Sequence, residues 1–197
     1  MECASIIKMF IATCVYQNLD DIVNENIDKE EIDLTVYKMI KDSDNYAADY
    51  LIELLGGGDY YTGYSVVNQM CKDYGFDDTY LAHSFIDYTY YGLNYTSAYD
   101  CANLLYMVYN NEIAGSTEIY NAMKDQTRRT KIPAGITDGS SVANKTGEYD
   151  GVEQDCAIIE GKHKYTLCIT CVNDSNYEAV QAIIDIAESV NEIIQAA

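Results

Sequence analysis

The sequence has few positive charges and few histidines, and each shortage excludes a class of function. Its 197 residues include 12 Lys and Arg against 32 Asp and Glu, which gives a formal net charge of -20 at pH 7. Such an acidic surface repels phosphate backbones and anionic lipid, so nucleic-acid and membrane-surface roles are not expected. The two histidines, His83 and His163, are isolated and form no metal-binding pattern. No stretch reaches the roughly 18 consecutive apolar residues that a membrane helix needs.

The seven cysteines follow no ordered spacing. They are Cys3, Cys14, Cys71, Cys101, Cys156, Cys168 and Cys171. Cys168 and Cys171 lie in an alternating pattern that predicts a strand, where residues three apart point to opposite faces. We interpret the cysteines as small buried hydrophobic residues, and the sequence leaves open whether two of them form a disulfide.

The hydrophobic pattern predicts one α+β domain over residues 1–197. Helical periodicity fills a lobe at about residues 5–130, and it changes to a period of two after Pro133, the only proline. Three antiparallel strands are predicted at 142–148, 154–160 and 165–172. Ser175 and Glu178 then form a capping box for a final helix, so that a sheet and a C-terminal helix occupy about 140–197.

The tyrosine-rich stretch from Phe76 to Tyr95 has weak periodicity. We predict a long loop that is packed by its own aromatic rings, and prefer this to a sugar-binding surface.

Ser5 and Lys8 are the first candidates for chemistry. They lie three residues apart at the start of a predicted helix that runs to about Val15, so the hydroxyl and the amine share a face. Lys8 has apolar neighbours, and loss of hydration lowers the pKa of an ammonium group. A neutral lysine can activate a serine, and the helix N-terminus can stabilise an oxyanion.

Two further motifs follow in the chain. Ser43-Asp44-Asn45 lies at a predicted junction between two helices, and Lys145-Thr146-Gly147 lies on a predicted strand. Each motif is weak alone, since Ser43 can be a helix cap and Lys8 a lysine whose amine extends to solvent. Their order and structural context together make chance a poor explanation.

With these motifs the chain resembles the class A serine β-lactamases and the related penicillin-binding DD-peptidases. The resemblance runs from about Ala4 to Val172 and implies a β-lactamase-like fold with a helical lobe and an antiparallel sheet. The segments 92–98 and 131–135 also resemble parts of that family.

The resemblance implies that the catalytic residues are Ser5, Lys8, Ser43 and Lys145. Ser5 would be the acylated nucleophile, Lys8 its proton acceptor, and Ser43 the donor of a proton to the leaving nitrogen. The backbone N–H groups of Ser5 and Glu148 would form the oxyanion hole.

The resemblance also implies how a substrate is held. Asn45 would bind the acylamido side chain, Lys145 and Thr146 the substrate carboxylate, and Gly147 would allow a close approach of the strand. The expected partner is a small molecule, either a β-lactam or a peptidoglycan stem peptide. We expect no cofactor, no metal and no transmembrane segment, a monomeric chain and an extracytoplasmic location.

One departure from the family affects turnover. Class A enzymes use a loop glutamate to activate the water that releases the acyl group, yet this sequence has none between Glu53 and Glu112. Asp87 is the nearest acidic candidate and its side chain is shorter. We therefore expect slow deacylation, and a D-Ala-D-Ala carboxypeptidase or penicillin-binding protein remains the alternative enzyme.

A second departure concerns the start of the chain. Family members carry a helix and two strands before the nucleophile helix, whereas four residues precede Ser5. We expect the chain to lack these elements, so that the sheet has three strands with an open edge at 165–172. The alternatives of another class are a non-catalytic binding domain and an inactive fragment.

Overall fold

A computed structural model describes residues 1–24, 26–86, 92–173 and 175–197 of the chain. A 3-10 turn at Ser5–Ile7 leads into the first helix. The helices, in chain order, are α1 (Lys8–Gln17), α2 (Leu19–Ile22), α3 (Lys29–Lys41), α4 (Asn45–Leu55), α5 (Tyr60–Asp73), α6 (Ala98–Tyr109), α7 (Ser116–Lys124), α8 (Ile132–Gly135) and α9 (Asn176–Ala196). The strands are β1 (Ser141–Tyr149), β2 (Val152–Glu160) and β3 (Lys164–Val172), between α8 and α9.

Helix α1 forms the centre of the helical lobe. Its residues are apolar on nearly every side, and all those from Lys8 to Tyr16 are buried. It packs against α3, α4, α5 and α7. A lysine at the start of this helix therefore has no route to bulk water along the helix surface.

The sheet separates two hydrophobic clusters. Its strands are antiparallel in the order β1-β2-β3, with Lys145 opposite Cys156 and Thr146 opposite Asp155. Cys156 and Ile158 face the helical lobe, whereas Ile159 lies on the other face with α8 and α9. This alternation fixes which side chains of β1 point towards the helices.

The structure confirms the α+β architecture with its helical lobe and antiparallel sheet. Several elements have other bounds than predicted or are divided into two. The helix predicted from Ser5 begins as a 3-10 turn and becomes an α-helix at Lys8. The link around Pro133 contains the single-turn helix α8, in which proline is tolerated because first-turn N–H groups have no partner within the helix. Cys168 and Cys171 pack into different clusters, as predicted, and all seven cysteines are free thiols.

The described parts of the tyrosine-rich loop make polar contacts with neighbouring helices, and the packing of the loop by its own aromatic rings stays a prediction. Its described parts, 76–86 and 92–95, are fixed by polar side chains of the neighbouring helices. Asp49 accepts hydrogen bonds from the backbone N–H groups of Phe85 and Ile86 at 2.8 and 3.1 Å. Asn68 pairs with both backbone groups of Leu81, at 2.7 and 2.9 Å. Asp87 and the tyrosines at 88, 90 and 91 lie outside the described residues.

None of the helices in the described part of the chain combines the length and apolarity needed to cross a membrane.

Candidate active site

The Lys8 ammonium lies in an enclosed position at the start of α1. Its side chain is fully buried, and Nζ donates to the Ser43 carbonyl at 2.7 Å and to Asn45 Oδ1 at 2.6 Å. Burial lowers the pKa of Lys8 to about 7, and the positive charge of Arg128 acts in the same direction. The structure records no hydrogen bond from Lys8 to Ser5 Oγ among the described residues. The predicted contact across one helical turn is therefore replaced by contacts with the Ser43 segment.

Ser43 connects this lysine to the sheet. It lies between α3 and α4 with a φ of 59°, in the left-handed region that non-glycine residues seldom adopt. Asp44 caps α4 by accepting from the N–H groups of Tyr46 and Ala47, which holds the segment in place. The Ser43 carbonyl thereby points at Lys8 while its hydroxyl points at Lys145.

Lys145 reaches this junction from β1. Its Nζ donates to Ser43 Oγ at 2.9 Å and to the Thr146 carbonyl at 2.7 Å. The side chain is fully buried, and this burial, together with the charges of Lys8 and Arg128, holds the pKa of Lys145 well below its usual range. The side chain of Ser43 thus meets a lysine from another layer of the fold.

Gly147 brings β1 against the turn that carries Ser5. A Cβ at this position would lie 3.1 Å from both the Ser5 and the Ile6 backbone nitrogens, and 2.9 Å from Gln154 Oε1. No larger residue fits without a shift of one of these neighbours. The close approach places the N–H of Ser5 beside the backbone of the strand.

A pocket of about 270 Å³ opens at this junction. It is lined by Glu2, Cys3, Ala4, Ser5, Asn45, His83, Phe85, Leu93, Asn94, Glu148 and Tyr149. Of the eight residues predicted for the site, Ser5, Asn45 and Glu148 line it directly. Lys8, Ser43 and Lys145 do not line the pocket but are joined by hydrogen bonds through Ser43, so the third motif reaches the pocket through this chain and through Glu148, which follows Gly147.

Thr146 follows Lys145, and its side-chain hydroxyl differs from the Lys145 amine in its hydrogen bonding. Its side chain is fully buried, and Oγ1 makes no hydrogen bond within the described part of the chain. A buried hydroxyl without a partner costs free energy, of the order of 1–3 kcal/mol.

Several residues of the pocket were not predicted from the sequence. Asn94 Oδ1 accepts from the N–H groups of Ala82 and His83, at 2.7 and 3.2 Å, and so fixes the loop wall of the pocket. The Phe85 ring lies under Lys8 Nζ, with its centroid 4.6 Å away. The resemblance of the 92–98 segment to the family could have indicated a role for Asn94 in the pocket. Nothing in the sequence around Phe85 indicates that its ring contacts Lys8.

A network of ion pairs borders the pocket beside Glu148. Arg128 Nη1 lies 2.7 Å from Glu148 Oε1, and Lys131 Nζ lies 3.2 Å from Glu148 Oε2. Lys131 also pairs with Glu153 at 2.6 Å. Burial raises the pKa of Asp155, on the neighbouring strand, to about 6. Sequence reasoning assigned Glu148 a backbone role and missed the contacts of its side chain.

The fold and the arrangement of the three motifs around one pocket are typical of serine β-lactamases and their relatives, and comparison with known proteins gives the same class. The chain belongs to the beta-lactamase enzyme family, whose family model matches residues 25–194. The matched range begins after Ser5 and Lys8, which therefore depend on the geometry described above. The family and the fold together support a hydrolase of the β-lactamase type.

Solved structures with the same fold include both β-lactamases and a penicillin-binding protein. PBP-A is 20% identical with a TM-score of 0.82 over 98% of this chain and 81% of its own, and one structure of a PBP-A variant is an acyl-enzyme complex with penicillin G. A β-lactamase from Sphaerobacter thermophilus DSM 20745 is 19% identical, with a TM-score of 0.81 over 100% of this chain and 84% of its own. The TLA-3 extended-spectrum β-lactamase is 19% identical, with a TM-score of 0.79 over 98% and 84%. No curated protein matches the chain.

Proposed function

We propose that the protein is a serine hydrolase that forms an acyl-Ser5 intermediate with β-lactams and releases the acyl group slowly. The observation that carries the proposal is the hydrogen-bonded chain from Lys8 through Ser43 to Lys145, which lies behind a pocket that Ser5 lines. By family resemblance, the protein acts outside the cytoplasm.

The contacts of Lys8 suit a base. A neutral amine has two N–H groups and one lone pair. Both N–H groups are taken by oxygen acceptors, the Ser43 carbonyl and Asn45 Oδ1. Asn45 Nδ2 donates to the Phe85 carbonyl at 3.3 Å, which fixes Oδ1 towards the lysine. The lone pair is left to accept the proton of Ser5, and a pKa of about 7 keeps much of the amine neutral at physiological pH.

The remaining steps use the other two motifs. Ser43 Oγ accepts a hydrogen bond from Lys145, so Ser43 can give its own proton to the nitrogen as the C–N bond of the β-lactam breaks and take a proton from Lys145 in return. The N–H groups of Ser5 and Glu148 hold the oxyanion, because Gly147 allows the strand and the turn to approach. Lys145 and the unpartnered hydroxyl of Thr146 bind the substrate carboxylate.

Slow deacylation follows from the carboxylates that are present. The stretch between Glu53 and Glu112 has no glutamate to activate water. Among the described residues that line the pocket, Glu2 and Glu148 are the acidic ones, and the Glu148 carboxylate is paired with Arg128 at 2.7 Å. Loss of a general base costs about 10²–10⁴ in rate, so the acyl-enzyme is expected to accumulate.

Intact-mass measurement after incubation with penicillin G tests the proposal. We expect a persistent adduct that maps to the peptide containing Ser5, and its absence in Ser5→Ala. The exposed Ser189 provides a control, since Ser189→Ala should still form the adduct. A transient adduct with rapid product release would overturn slow deacylation and indicate a β-lactamase that turns over. A folded protein without an adduct would overturn the enzymatic proposal and leave a binding role.

A further inference from the structure

The side chain of Glu148 lies where the substrate carboxylate is proposed to bind. Side chains alternate along a strand, so Glu148 and Thr146 point to the same face of β1. Thr146 Oγ1 is buried without a hydrogen bond in the described structure, and Glu148 lines the pocket. An acidic side chain thus stands two residues from the hydroxyl that would receive an anionic group.

Two cations hold the Glu148 carboxylate in place. Arg128 contacts Oε1 at 2.7 Å, and Lys131 contacts Oε2 at 3.2 Å. Lys131 also donates to the carbonyls of Gly147 and Gln154, both at 3.1 Å. These bonds anchor its side chain to the backbone of β1 and β2. Arg128 is the more exposed partner, since 46% of its side chain is accessible against 2% for Lys131.

The charge of Arg128 acts on the reacting groups themselves. It lowers the pKa of both Lys8 and Lys145, whereas the charge of Glu148 raises the pKa of Lys145. The arginine pairs at 2.7 Å with Glu148, which lines the pocket, so an unpaired Arg128 would be available to attract a substrate anion there. In this structure the Arg128 guanidinium is already paired with the Glu148 carboxylate.

We propose that Glu148 is a specificity-determining residue. Its carboxylate occupies Arg128, so the cleft favours acyl substrates that are neutral beside the scissile bond, such as esters and amides, over the corresponding free carboxylates. This inference rests on the proposed function, because it assumes that Lys145 and Thr146 receive that end of the substrate.

The comparison of penicillin G with its methyl ester in Glu148→Gln tests the inference. Glutamine keeps the size of the side chain and the backbone N–H, and Lys131 retains Glu153 as a partner. The quantity to measure is the ratio of the second-order acylation rate constants, acid over ester, because general effects on the oxyanion hole cancel in it. We expect this ratio to rise about ten-fold, since a charge repulsion close to a partly exposed site is removed.

Two further variants complete the experiment. Arg128→Gln leaves Glu148 without its nearest cation, and we expect the ratio to fall below that of the wild type. Glu192→Gln removes an exposed carboxylate of α9 and should leave both the ratio and the absolute rates unchanged. Thermal unfolding of each variant verifies that it is folded.

The possible failures are distinguishable. If the wild type and Glu148→Gln form adducts with the same acid-to-ester ratio, the specificity inference is wrong and the proposed function stands. If no compound forms an adduct with any folded variant, the proposed function itself is wrong.

Discussion

Lys8, Lys131 and Lys145 are all buried in the described structure, and their partners divide them into two kinds. Lys131 contacts the carboxylates of Glu148 and Glu153 and is a structural ion-pair partner. Lys8 and Lys145 donate to carbonyl, amide and hydroxyl oxygens, without a carboxylate in direct contact. Neutral partners do not compensate a buried ammonium as a carboxylate does, so the pKa values of these two lysines are lowered.

The depressed pKa of Lys8 predicts how acylation depends on pH. In the proposed mechanism the neutral amine accepts the Ser5 proton, so the rate should rise as pH increases through about 7 and then level off. Penicillin G acylation measured by stopped-flow or quenched mass spectrometry at a series of pH values gives the profile. In Lys8→Arg the cation stays protonated, and we expect a loss of about 10²–10⁴ in rate without the inflection. A wild-type rate that is constant across this range would rule out Lys8 as the base.

At the scale of elements, the site depends on one contact between β1 and the 3-10 turn. The strand carries Lys145 towards the helical lobe, and Gly147 lets the strand approach the backbone nitrogens of Ser5 and Ile6. A small displacement of either element would move Ser5 relative to the backbone N–H of Glu148, which is the second donor of the proposed oxyanion hole. Misplacement by about 1 Å can cost roughly 10²-fold in rate.

Gly147→Ala tests this contact, with Gly135→Ala as a matched control. The added methyl of Gly147→Ala would push β1 away from Ser5, and we expect acylation to fall about 10²-fold with a stability loss of about 1–3 kcal/mol. A methyl at Gly135 would lie 2.5 Å from the Ile184 carbonyl, between α8 and α9 and outside the residues of the pocket. It should cost similar stability in urea unfolding while the folded protein acylates at the wild-type rate. Equal rates in both variants and the wild type would show that this contact does not position Ser5.

The elements that carry the motifs were predictable because their signals are local. Apolar spacing and capping residues located α1, the junction at Ser43 and the strand at Lys145 from sequence alone. The partner of Lys8 was not predictable in this way. Ser5 was the nearest hydroxyl on the helix, yet the ammonium bonds to residues 35 and 37 positions away, which only the packing of α1 against α4 brings close.

The polar anchors of the loop were missed for the same reason. Asp49 and Asn68 lie on helices that the sequence identifies by their apolar stripes. Their hydrogen-bond partners lie 13 to 37 residues further along the chain. A buried carboxylate inside a helix gives no sign of which backbone N–H groups it will accept from. The many tyrosines of the same stretch are its most evident feature in the sequence, and for this reason the prediction was one of aromatic packing.

At the scale of the whole molecule, the site is a junction of two buried lysines within an acidic protein. Lys8 comes from the helical lobe and Lys145 from the sheet, and they meet at Ser43 between α3 and α4. The chain as a whole carries a formal charge of -20. Its carboxylates therefore repel one another across the folded surface, and this repulsion opposes compactness.

Screening this repulsion should stabilise the fold. Raising the NaCl concentration from about 0.01 to 0.15 M shortens the Debye length from about 30 to 8 Å, which weakens repulsion between distant carboxylates more than the ion pairs at 2.6–3.2 Å beside Glu148. We expect the midpoint of thermal unfolding to rise by about 2–4 °C, the shift that about 1 kcal/mol produces in a domain of this size. KCl at the same concentrations should give the same rise, because screening depends on ionic strength and not on a specific cation. A midpoint that falls with salt would mean that close ion pairs contribute more to stability than the long-range repulsion removes.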